Sequence, residues 1–353
     1  MTTAGAGPSN VAPLLDTIEN QRLGCELAGS DLYARVLEAT ARDVRAGGVC
    51  ARVLAPVAAA PYGDAVLLRF LAAVHHLVLD GSAPELAAHY PSVGGVPGSD
   101  IGERFVAAVA EHEVAVSARL GLGVQTNEVG RSAALIGGYL TLARRGLPLR
   151  VLEVGASAGL NLRFDRFRFE AGPQAFGPAD SPLRFVDPWV GDPPALSGPL
   201  DVASRRGCDV DPIDPTTDEG RLRLRSYVWP DQPVRRARLD AALLVAERLP
   251  VTVDRADAIT WLGPLLAAPV PGVLTVVVHS IAFQYLSPPD RTAFLALLDD
   301  AGSRATADAP LAWLRMEPGG DQAETRLTVW PTGTTDLLCR SAFHGPPVVW
   351  AGA

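Results

Sequence analysis

The sequence contains no lysine, so arginine supplies all 31 of its basic residues. They are outnumbered by 39 acidic residues, which gives a formal net charge of −8 at pH 7. Binding to a nucleic-acid backbone draws most of its affinity from an excess of cationic side chains. The composition therefore argues against a nucleic acid as the partner, and a small-molecule substrate is expected instead.

Cysteine is also scarce, and no two cysteines form a C-x-x-C pair. Scattered cysteines without histidines at ligand spacing predict buried free thiols rather than disulfides or a zinc site. The adjacent His75 and His76 lie in an apolar helical segment, where neighbouring side chains diverge by about 100° and do not readily share one metal ion. No metal is therefore expected. The four cysteines are Cys25, Cys50, Cys208 and Cys339.

Long uncharged apolar runs are absent as well. The first ten residues lack the basic and apolar regions of a signal peptide. The most apolar stretch, residues 140–154, is interrupted by Arg144, Arg145, Arg150 and Glu153, so it does not have the character of a membrane span. The expectation is a cytoplasmic protein without a membrane partner. Its oligomeric state does not follow from the sequence.

Residues 1–125 are predicted to form an all-helical region. Ser30 and Asp31 are suited to cap a helix that ends near Gly47, and residues 61–80 carry a strongly apolar helical pattern. Residues 100–120 and 127–145 predict two further helices.

Residues 126–353 are predicted to form an α/β domain. Short β-rich runs alternate with helical or loop segments, and the nearly all-apolar run 273–279 is typical of a central parallel strand. The expected fold is a doubly wound, Rossmann-like sheet of the class I methyltransferase type, closed by a C-terminal antiparallel hairpin. A Pro/Gly-rich stretch at residues 170–199 predicts an insertion or lid. The predicted strands are 149–154, 200–206, 251–254, 273–279, 311–316, 325–330 and 337–343, and the helices among them 235–248 and 289–301.

One segment, Glu153-Val-Gly155-Ala-Ser157-Ala-Gly159, fits two catalytic signatures at once. As acid-x-Gly-x-x-x-Gly after a strand, it is the turn that binds S-adenosylmethionine in methyltransferases. Its glycines would let the backbone approach the ligand, and the following helix would offer free N–H groups to the methionine carboxylate. As Gly-x-Ser-x-Gly, it is the nucleophile elbow of a serine hydrolase.

Acidic residues after the following strands favour the nucleotide interpretation. Glu153 is placed to receive the cofactor's amino group, Asp209 the ribose hydroxyls, and Asp257-Ala258 the adenine edge. The hydrolase interpretation lacks strands and an oxyanion-hole segment before the elbow, although Asp257 with His279, or Asp336 with His344, would meet the required order. The predicted cofactor contacts are Glu153, Gly155, Ala156, Ser157, Gly159, Asn161, Asp209, Asp257 and Ala258.

Several segments together resemble a bacterial family called domain of unknown function 2332. They include residues 126–131 (TNEVGR), 155–162 (GASAGLNL), 206–209 (RGCD), 212–214 (PID), 224–232 (LRSYVWPDQ) and 344–345 (HG). The resemblance covers most of the chain. It implies a methyltransferase-like fold but no established reaction or substrate.

His279, at the end of the central strand, is the candidate general base for methyl transfer, with a hydrogen-bonded structural histidine as the equal alternative. The other candidates are expected to line the acceptor pocket or cover the cofactor, and each has an ordinary capping or packing alternative. They are Asn127, Glu128, Arg131, Tyr227, Trp229, Ser280, Gln284 and Tyr285. The leading hypothesis is a methyltransferase acting on a small molecule. A serine hydrolase using Ser157 and a non-catalytic ligand-binding protein of the same fold remain alternatives.

Overall fold

The computed structural model describes residues 11–58 and 65–352, so the part of the predicted helix 61–80 before Ala65 lies outside the described residues. The chain divides into two compact units. The first contains the described part of Met1–Thr126 together with Asp218–Arg236, and the second contains Asn127–Thr217 and Ala237–Ala353. The sequence interpretation assigned 218–236 to the α/β domain, whereas by its contacts this segment packs within the helical unit.

The described part of the chain contains twelve α-helices. In chain order they are α1 Val11–Leu27, α2 Asp31–Arg45, α3 Val49–Leu54, α4 Val66–Leu79, α5 Pro84–Ala87, α6 Ile101–Glu111, α7 Glu113–Leu120, α8 Ser132–Ala143, α9 Asp218–Ser226, α10 Pro233–Arg248, α11 Ala258–Leu266 and α12 Pro288–Ser303.

The first unit is built around one apolar core. Phe70 of α4 packs edge-on against Phe105 of α6, with ring centroids 5.5 Å apart. The predicted cap of α2 is present, because Ser30 Oγ accepts a hydrogen bond from Tyr33 N at 3.3 Å. The same hydroxyl donates to Asp231 at 2.8 Å, which ties the 218–236 segment to this helix start. The single helix predicted over 100–120 is instead two helices, because His112 leaves helical geometry at φ −114°, ψ 29°.

The second unit is built on an eight-stranded sheet and a small three-stranded sheet. The large sheet has the order β11-β10-β9-β8-β7-β1-β5-β6, and the small one β3-β2-β4. The strands are β1 Leu149–Val154, β2 Arg168–Ala171, β3 Gln174–Phe176, β4 Arg184–Val186, β5 Val202–Asp209, β6 Thr252–Arg255, β7 Leu274–Ser280, β8 Leu311–Pro318, β9 Ala323–Trp330, β10 Thr334–Ala342 and β11 Gly345–Trp350.

Strand order in the large sheet reverses at β1. This strand pairs in parallel with β5 on one side and with β7 on the other, while β6 and β8 extend the parallel part outwards. Every residue of β7 is buried, as its apolar run predicts. Strands β8 to β11 form an antiparallel meander that contains the predicted hairpin and adds one strand beyond it. The mixed α/β class with a parallel-rich sheet is thus confirmed.

Two segments differ from expectation. The helix expected after β1 is a 3-10 helix, Asn161–Arg166, interrupted by Arg163 at φ −100°, ψ 16°. Residues 168–186, at the start of the predicted lid, form the small sheet, because Phe169 stacks on Phe185 at 5.1 Å and both rings are buried. Among the described residues, no helix has the length and hydropathy that crossing a membrane requires.

Candidate ligand site at the end of β1

The turn after β1 repeats a left-handed backbone conformation at every second residue. Gly155, Ser157 and Gly159 have φ values of +67°, +54° and +65°. Space as well as conformation requires the glycines: a Cβ on Gly155 would lie 2.8 Å from Ala282 Cβ, and one on Gly159 would lie 2.9 Å from Val253 Cγ2. Ser157 adopts this conformation although it has a Cβ, which makes it a strained position.

The backbone amides of this turn already have hydrogen-bond acceptors. Ser157 N donates to Asp209 Oδ2 at 2.9 Å, while Ala158 N and Leu160 N donate to Asn127 Oδ1 at 3.3 and 3.0 Å. The amides of Ala156 and Gly159 donate to the backbone carbonyls of Cys208 and Ala156. At the start of the 3-10 helix that follows, Leu162 N and Arg163 N also donate to backbone carbonyls, which differs from the expectation that the helix start offers free N–H groups to a carboxylate.

Two asparagines fix the turn to the segment before α8. Asn127 is one of the pocket candidates for which capping of the following helix was the alternative, and its side chain reaches across to the turn. Asn161 Nδ2 donates to Glu128 O at 3.3 Å, and its Oδ1 accepts from Ser132 Oγ at 2.8 Å. The predicted cofactor residue Asn161 is thus buried and engaged within the protein.

Glu153 is the buried acid of the site. Its side chain is 3% exposed, and its Oε2 has no hydrogen-bond partner in the described structure. Burial raises the pKa of Glu153 to about 8, and the nearby charge of Asp209 adds to the rise, whereas Arg163 and Arg131 oppose it. At pH 7 the carboxyl group is therefore mostly protonated, and its unpartnered oxygen needs a partner that the protein does not supply.

Arg163 is a site residue that the sequence interpretation missed. Its guanidinium is buried and donates to the carbonyls of Gly159 and Leu249 at 2.7 and 2.8 Å. Burial lowers the pKa of Arg163 to about 10. An arginine inside a 3-10 helix carries no sequence signal for this role, because the contact depends on where the turn and the segment before β6 meet.

His279, the candidate general base, is itself buried and is held by two half-buried partners. Its Nδ1 lies 2.7 Å from Glu317 Oε1, and Trp313 Nε1 donates to its Nε2 at 2.9 Å. Since the indole only donates, Nε2 accepts and the ring proton is on Nδ1. The ring also packs against Phe283 and Phe294. Both nitrogens are engaged, which favours the structural interpretation of His279.

Glu317, also missed from the sequence, organises the loop after β7. Its Oε1 accepts from Ala282 N at 2.9 Å and Phe283 N at 3.2 Å, next to Ile281 at φ +50°. Burial acts to raise the pKa of Glu317, but the hydrogen bonds from His279 and these amides hold it below its ordinary value. The sequence feature that could have identified Glu317 is its position as an acidic residue near the end of β8.

The acids after β5 and β6 both contact backbone amides. Asp209 is half-buried, and its Oδ1 accepts from Asp211 N at 2.9 Å. Asp257 is exposed and caps α11, accepting from Ile259 N and Thr260 N at 3.1 and 3.0 Å. Its neighbour Ala258 is buried at the first position of that helix. Asp209, the last residue of β5, and Asp257, just after β6, thus lie at the carboxyl ends of neighbouring parallel strands, at the same edge as Glu153.

The other pocket candidates are spread over different environments. Glu128 accepts from Gly130 N at 3.0 Å, and Arg131 donates to the carbonyls of Ser280 and Phe343 at 2.8 and 3.1 Å. Ser280 is buried at the end of β7. Gln284 and Tyr285 are exposed on a 3-10 helix after it.

Tyr227 and Trp229 belong to the first unit. Tyr227 Oη donates to Gly123 O at 3.0 Å, and Trp229 packs against Tyr33 with ring centroids 5.9 Å apart. Both residues are buried. Within that unit they contribute to packing.

Residues at the carboxyl ends of parallel strands around β1 thus define an α/β protein with a candidate ligand site at the point where strand order reverses. A family model described as an uncharacterized protein conserved in bacteria (DUF2332) matches residues 16–350, and the chain belongs to this family. No curated protein and no solved structure matches it.

Proposed function

We propose that this chain is an S-adenosylmethionine-dependent methyltransferase that acts on a small-molecule acceptor. Two features of the second unit support the proposal. The parallel strands β6, β5, β1, β7 and β8 follow the order of a doubly wound sheet, whose ligands bind outside the carboxyl ends at the reversal point. Acidic residues lie at the carboxyl ends of three neighbouring strands: Glu153 within β1, Asp209 at the end of β5 and Asp257 just after β6.

The observation that carries the proposal is the unpartnered Oε2 of Glu153. Buried polar atoms almost always have hydrogen-bond partners, so an orphan at a strand end points to a missing donor. A cationic amino group would satisfy this oxygen and would favour ionisation of the carboxyl group. The amino group of the methionine part of S-adenosylmethionine has this chemistry.

The remaining cofactor contacts are assigned to the next two strands. Asp209 is proposed to meet the ribose hydroxyls while it holds Ser157 N, and Asp257 with Ala258 to meet the adenine edge. The carboxylate of the cofactor is not assigned to the turn amides, because Asn127 and Asp209 occupy them. The fit is thus good for the amino group and incomplete for the carboxylate.

The cofactor would supply a methyl group on a sulfonium, and the protein's work is to align the acceptor with it and exclude water. Arg131 stabilises the end of β7 through Ser280 O, and Glu317 holds the loop that follows. These contacts hold the end of β7 and the loop after it in place beside the turn after β1. His279 is not used as the base in this proposal, because Glu317 and Trp313 occupy its nitrogens.

Isothermal titration of the full chain with S-adenosylmethionine tests the proposal. We expect binding, and we expect Glu153→Gln to weaken it at least about tenfold, which corresponds to about 1.4 kcal/mol. Glu247→Gln, an exposed change of the same chemistry on α10, should bind as the wild type does. An absence of heat with about 1 mM ligand would reject the proposal.

A serine hydrolase is the second candidate because Ser157 has the strained backbone of a nucleophile elbow. Two contacts oppose it. Ala158 N, which would form part of the oxyanion hole, donates to Asn127, and His279 is committed to other partners. A fluorophosphonate probe should leave the wild type unlabelled; labelling that disappears in Ser157→Ala would establish the hydrolase instead.

A third possibility is a ligand-binding protein of this fold without turnover. It shares the prediction of S-adenosylmethionine binding and differs in the fate of the methyl group. Incubation with methyl-labelled cofactor and a mixture of small-molecule acceptors separates the two. Transfer of label that is lost in Glu153→Gln supports the enzyme, whereas binding without transfer to any acceptor supports the alternative.

A further inference from the structure

A cleft at the amino ends of the parallel strands has no part in the proposed methyl transfer. Its empty volume is about 290 Å³, which includes the opening to solvent. The starts of β1, β7 and β8 line it together with residues at the ends of α11 and α12. The candidate cofactor residues lie at the carboxyl ends of the same strands, so the two sites are at opposite edges of the sheet.

Three side chains of the cleft form a row across the sheet. Arg150 of β1 is the register partner of Thr275 in β7, and Thr275 is in turn the partner of Leu311 in β8. Register partners in neighbouring strands lie about 4.8 Å apart and point to the same face of the sheet. A guanidinium, a hydroxyl and an apolar side chain therefore stand side by side in this cleft.

Arg150 brings a positive charge without a counter-ion. Its Nη1 donates to Leu265 O at 3.0 Å, which uses one of the five N–H donors of the guanidinium. Within the part of the chain that the structure describes, Arg150 makes no other hydrogen bond and no ion pair. Burial lowers the pKa of Arg150, and no neighbouring acid offsets this effect. A half-buried charge of this kind is usually paired, so an anion is the expected partner.

Thr275 adds a hydroxyl that is not used inside the protein. The residue is 6% exposed, and its side chain makes no hydrogen bond to any described residue. A buried hydroxyl without a partner is costly, and it can donate to an anion bound by the neighbouring guanidinium. The row thus offers a charge and a second donor to the same ligand group.

The end of α11 brings two carbonyl oxygens to the cleft, and their partial negative charge would oppose an anion. Both are engaged: Arg150 bonds the carbonyl of Leu265, and Arg304 bonds that of Leu266 at 3.0 Å. Arg304 also pairs with Asp300, so we do not count it as a free charge. Arg150 is the one charged residue among those that line the cleft.

The remainder of the lining is apolar. Apart from Arg150 and Thr275, it consists of leucine, valine, alanine and proline residues, including Leu266 and Val270. An inorganic anion would match the charge and leave this surface in water. An anion that carries an aliphatic group would cover it as well.

We propose that this cleft binds a small carboxylate with a short aliphatic tail. The carboxylate group accepts from Arg150 and from the Thr275 hydroxyl, and the tail lies against the apolar lining. Pockets for drug-sized ligands begin at about 300 Å³, and part of this cleft is open to solvent, so the tail is limited to a few carbon atoms.

Butyrate is the probe, titrated into the full chain up to about 50 mM at constant ionic strength set with chloride, with thermal unfolding as the readout. We expect the wild type and Arg145→Gln to be stabilised alike, because Arg145 is exposed and outside the cleft. Arg150→Gln should weaken the apparent affinity about tenfold or more, and Thr275→Val about fivefold. Equal affinity in all four proteins, or no stabilisation of the wild type, would overturn the proposal.

Two further ligands test the chemical class with the wild type. Butyramide has the tail without the charge, and acetate has the charge with a tail two methylene groups shorter. Each should bind about tenfold more weakly than butyrate, since one loses the ion pair and the other most of the apolar contact. If either binds as tightly as butyrate, the assignment of an aliphatic carboxylate is wrong.

A chemical measurement on the wild type covers the case in which the variants fail to fold. Phenylglyoxal modifies accessible arginines, and mass spectrometry locates the modified residues. Butyrate should slow the modification of Arg150 while Arg145 reacts as before. An unchanged rate at Arg150 would overturn the proposal.

Discussion

At the scale of single residues, Glu153 and Asn127 show how the turn after β1 is built. One is a buried acid that lacks a partner, and the other is an amide whose oxygen satisfies two turn amides. Both were named as site residues from the sequence. Their contacts depend on long-range geometry, which no local pattern contains.

Glu153 should make stability depend on pH. Its folded pKa is about 8, against an ordinary value of 4.5, so the folded state retains a proton that the unfolded state releases between these values. Wild-type stability should fall as pH rises through this window, by up to about 1.4 kcal/mol per pH unit. Glu153→Gln should lack this loss. Urea denaturation of both proteins at several pH values measures their unfolding free energies. If the unfolding free energies of wild type and Glu153→Gln change with pH in the same way, the prediction is wrong.

Asn127→Ala should leave the amides of Ala158 and Leu160 without their acceptor. The cost is expected to be about 1–3 kcal/mol of unfolding free energy, with faster hydrogen exchange at these amides. Asn127→Asp retains an acceptor oxygen and serves as the control. Equal exchange rates in wild type and Asn127→Ala would show that the side chain does not hold the turn.

At the scale of elements, most strands and helices follow from periodicity, and the exceptions have physical causes. The helix predicted over 100–120 divides at His112, which the apolar pattern does not mark. The turn after β1 leads into a 3-10 helix, in which Arg163 bonds the carbonyls of the turn. Residues 168–186 form a small sheet because Phe169 and Phe185 are buried together. The proline- and glycine-rich composition of this stretch predicted a lid and gave no indication of these buried aromatic residues.

Gly155→Ala separates two costs at the turn. Gly155 needs a positive φ, and its added Cβ would also meet Ala282 at 2.8 Å. Gly146 has a φ of +77° with nothing within 4 Å, so Gly146→Ala carries the backbone strain alone. Strain is expected to cost about 1 kcal/mol in both variants, and the clash should make Gly155→Ala worse by a further 1–3 kcal/mol or so. Equal denaturation midpoints would contradict the close contact.

At the scale of the whole molecule, the chain leaves the second unit after Thr217 and contributes a segment to the first before it returns. Asp231 fixes that segment by accepting from Ser30 Oγ at 2.8 Å and from Leu32 N at 3.3 Å. The pairing spans about two hundred residues of sequence. A linear boundary near residue 125 therefore describes only one of the places where the chain passes between units.

Asp231→Ala should loosen the start of α2 and the 227–233 segment. Loss of a charged acceptor for a buried hydroxyl and an amide is expected to cost about 1–3 kcal/mol. Hydrogen exchange should increase in these two segments while β1 and β7 keep their protection. Asp231→Asn, which preserves an acceptor, should have a smaller effect; a uniform increase across both units would contradict local coupling.

The sequence by itself determined the α/β class, the apolar central strand β7, the order of the main strands along the chain and the glycine-containing turn after β1. These features depend on local composition and on the spacing of apolar residues, both of which can be read from a short stretch of sequence. Only the tertiary structure decided that Asn127 and Asp209 occupy the turn amides and that Glu317 and Trp313 hold His279. Each of these depends on a contact between distant segments, and burial then fixes the protonation and hydrogen bonding of the groups involved.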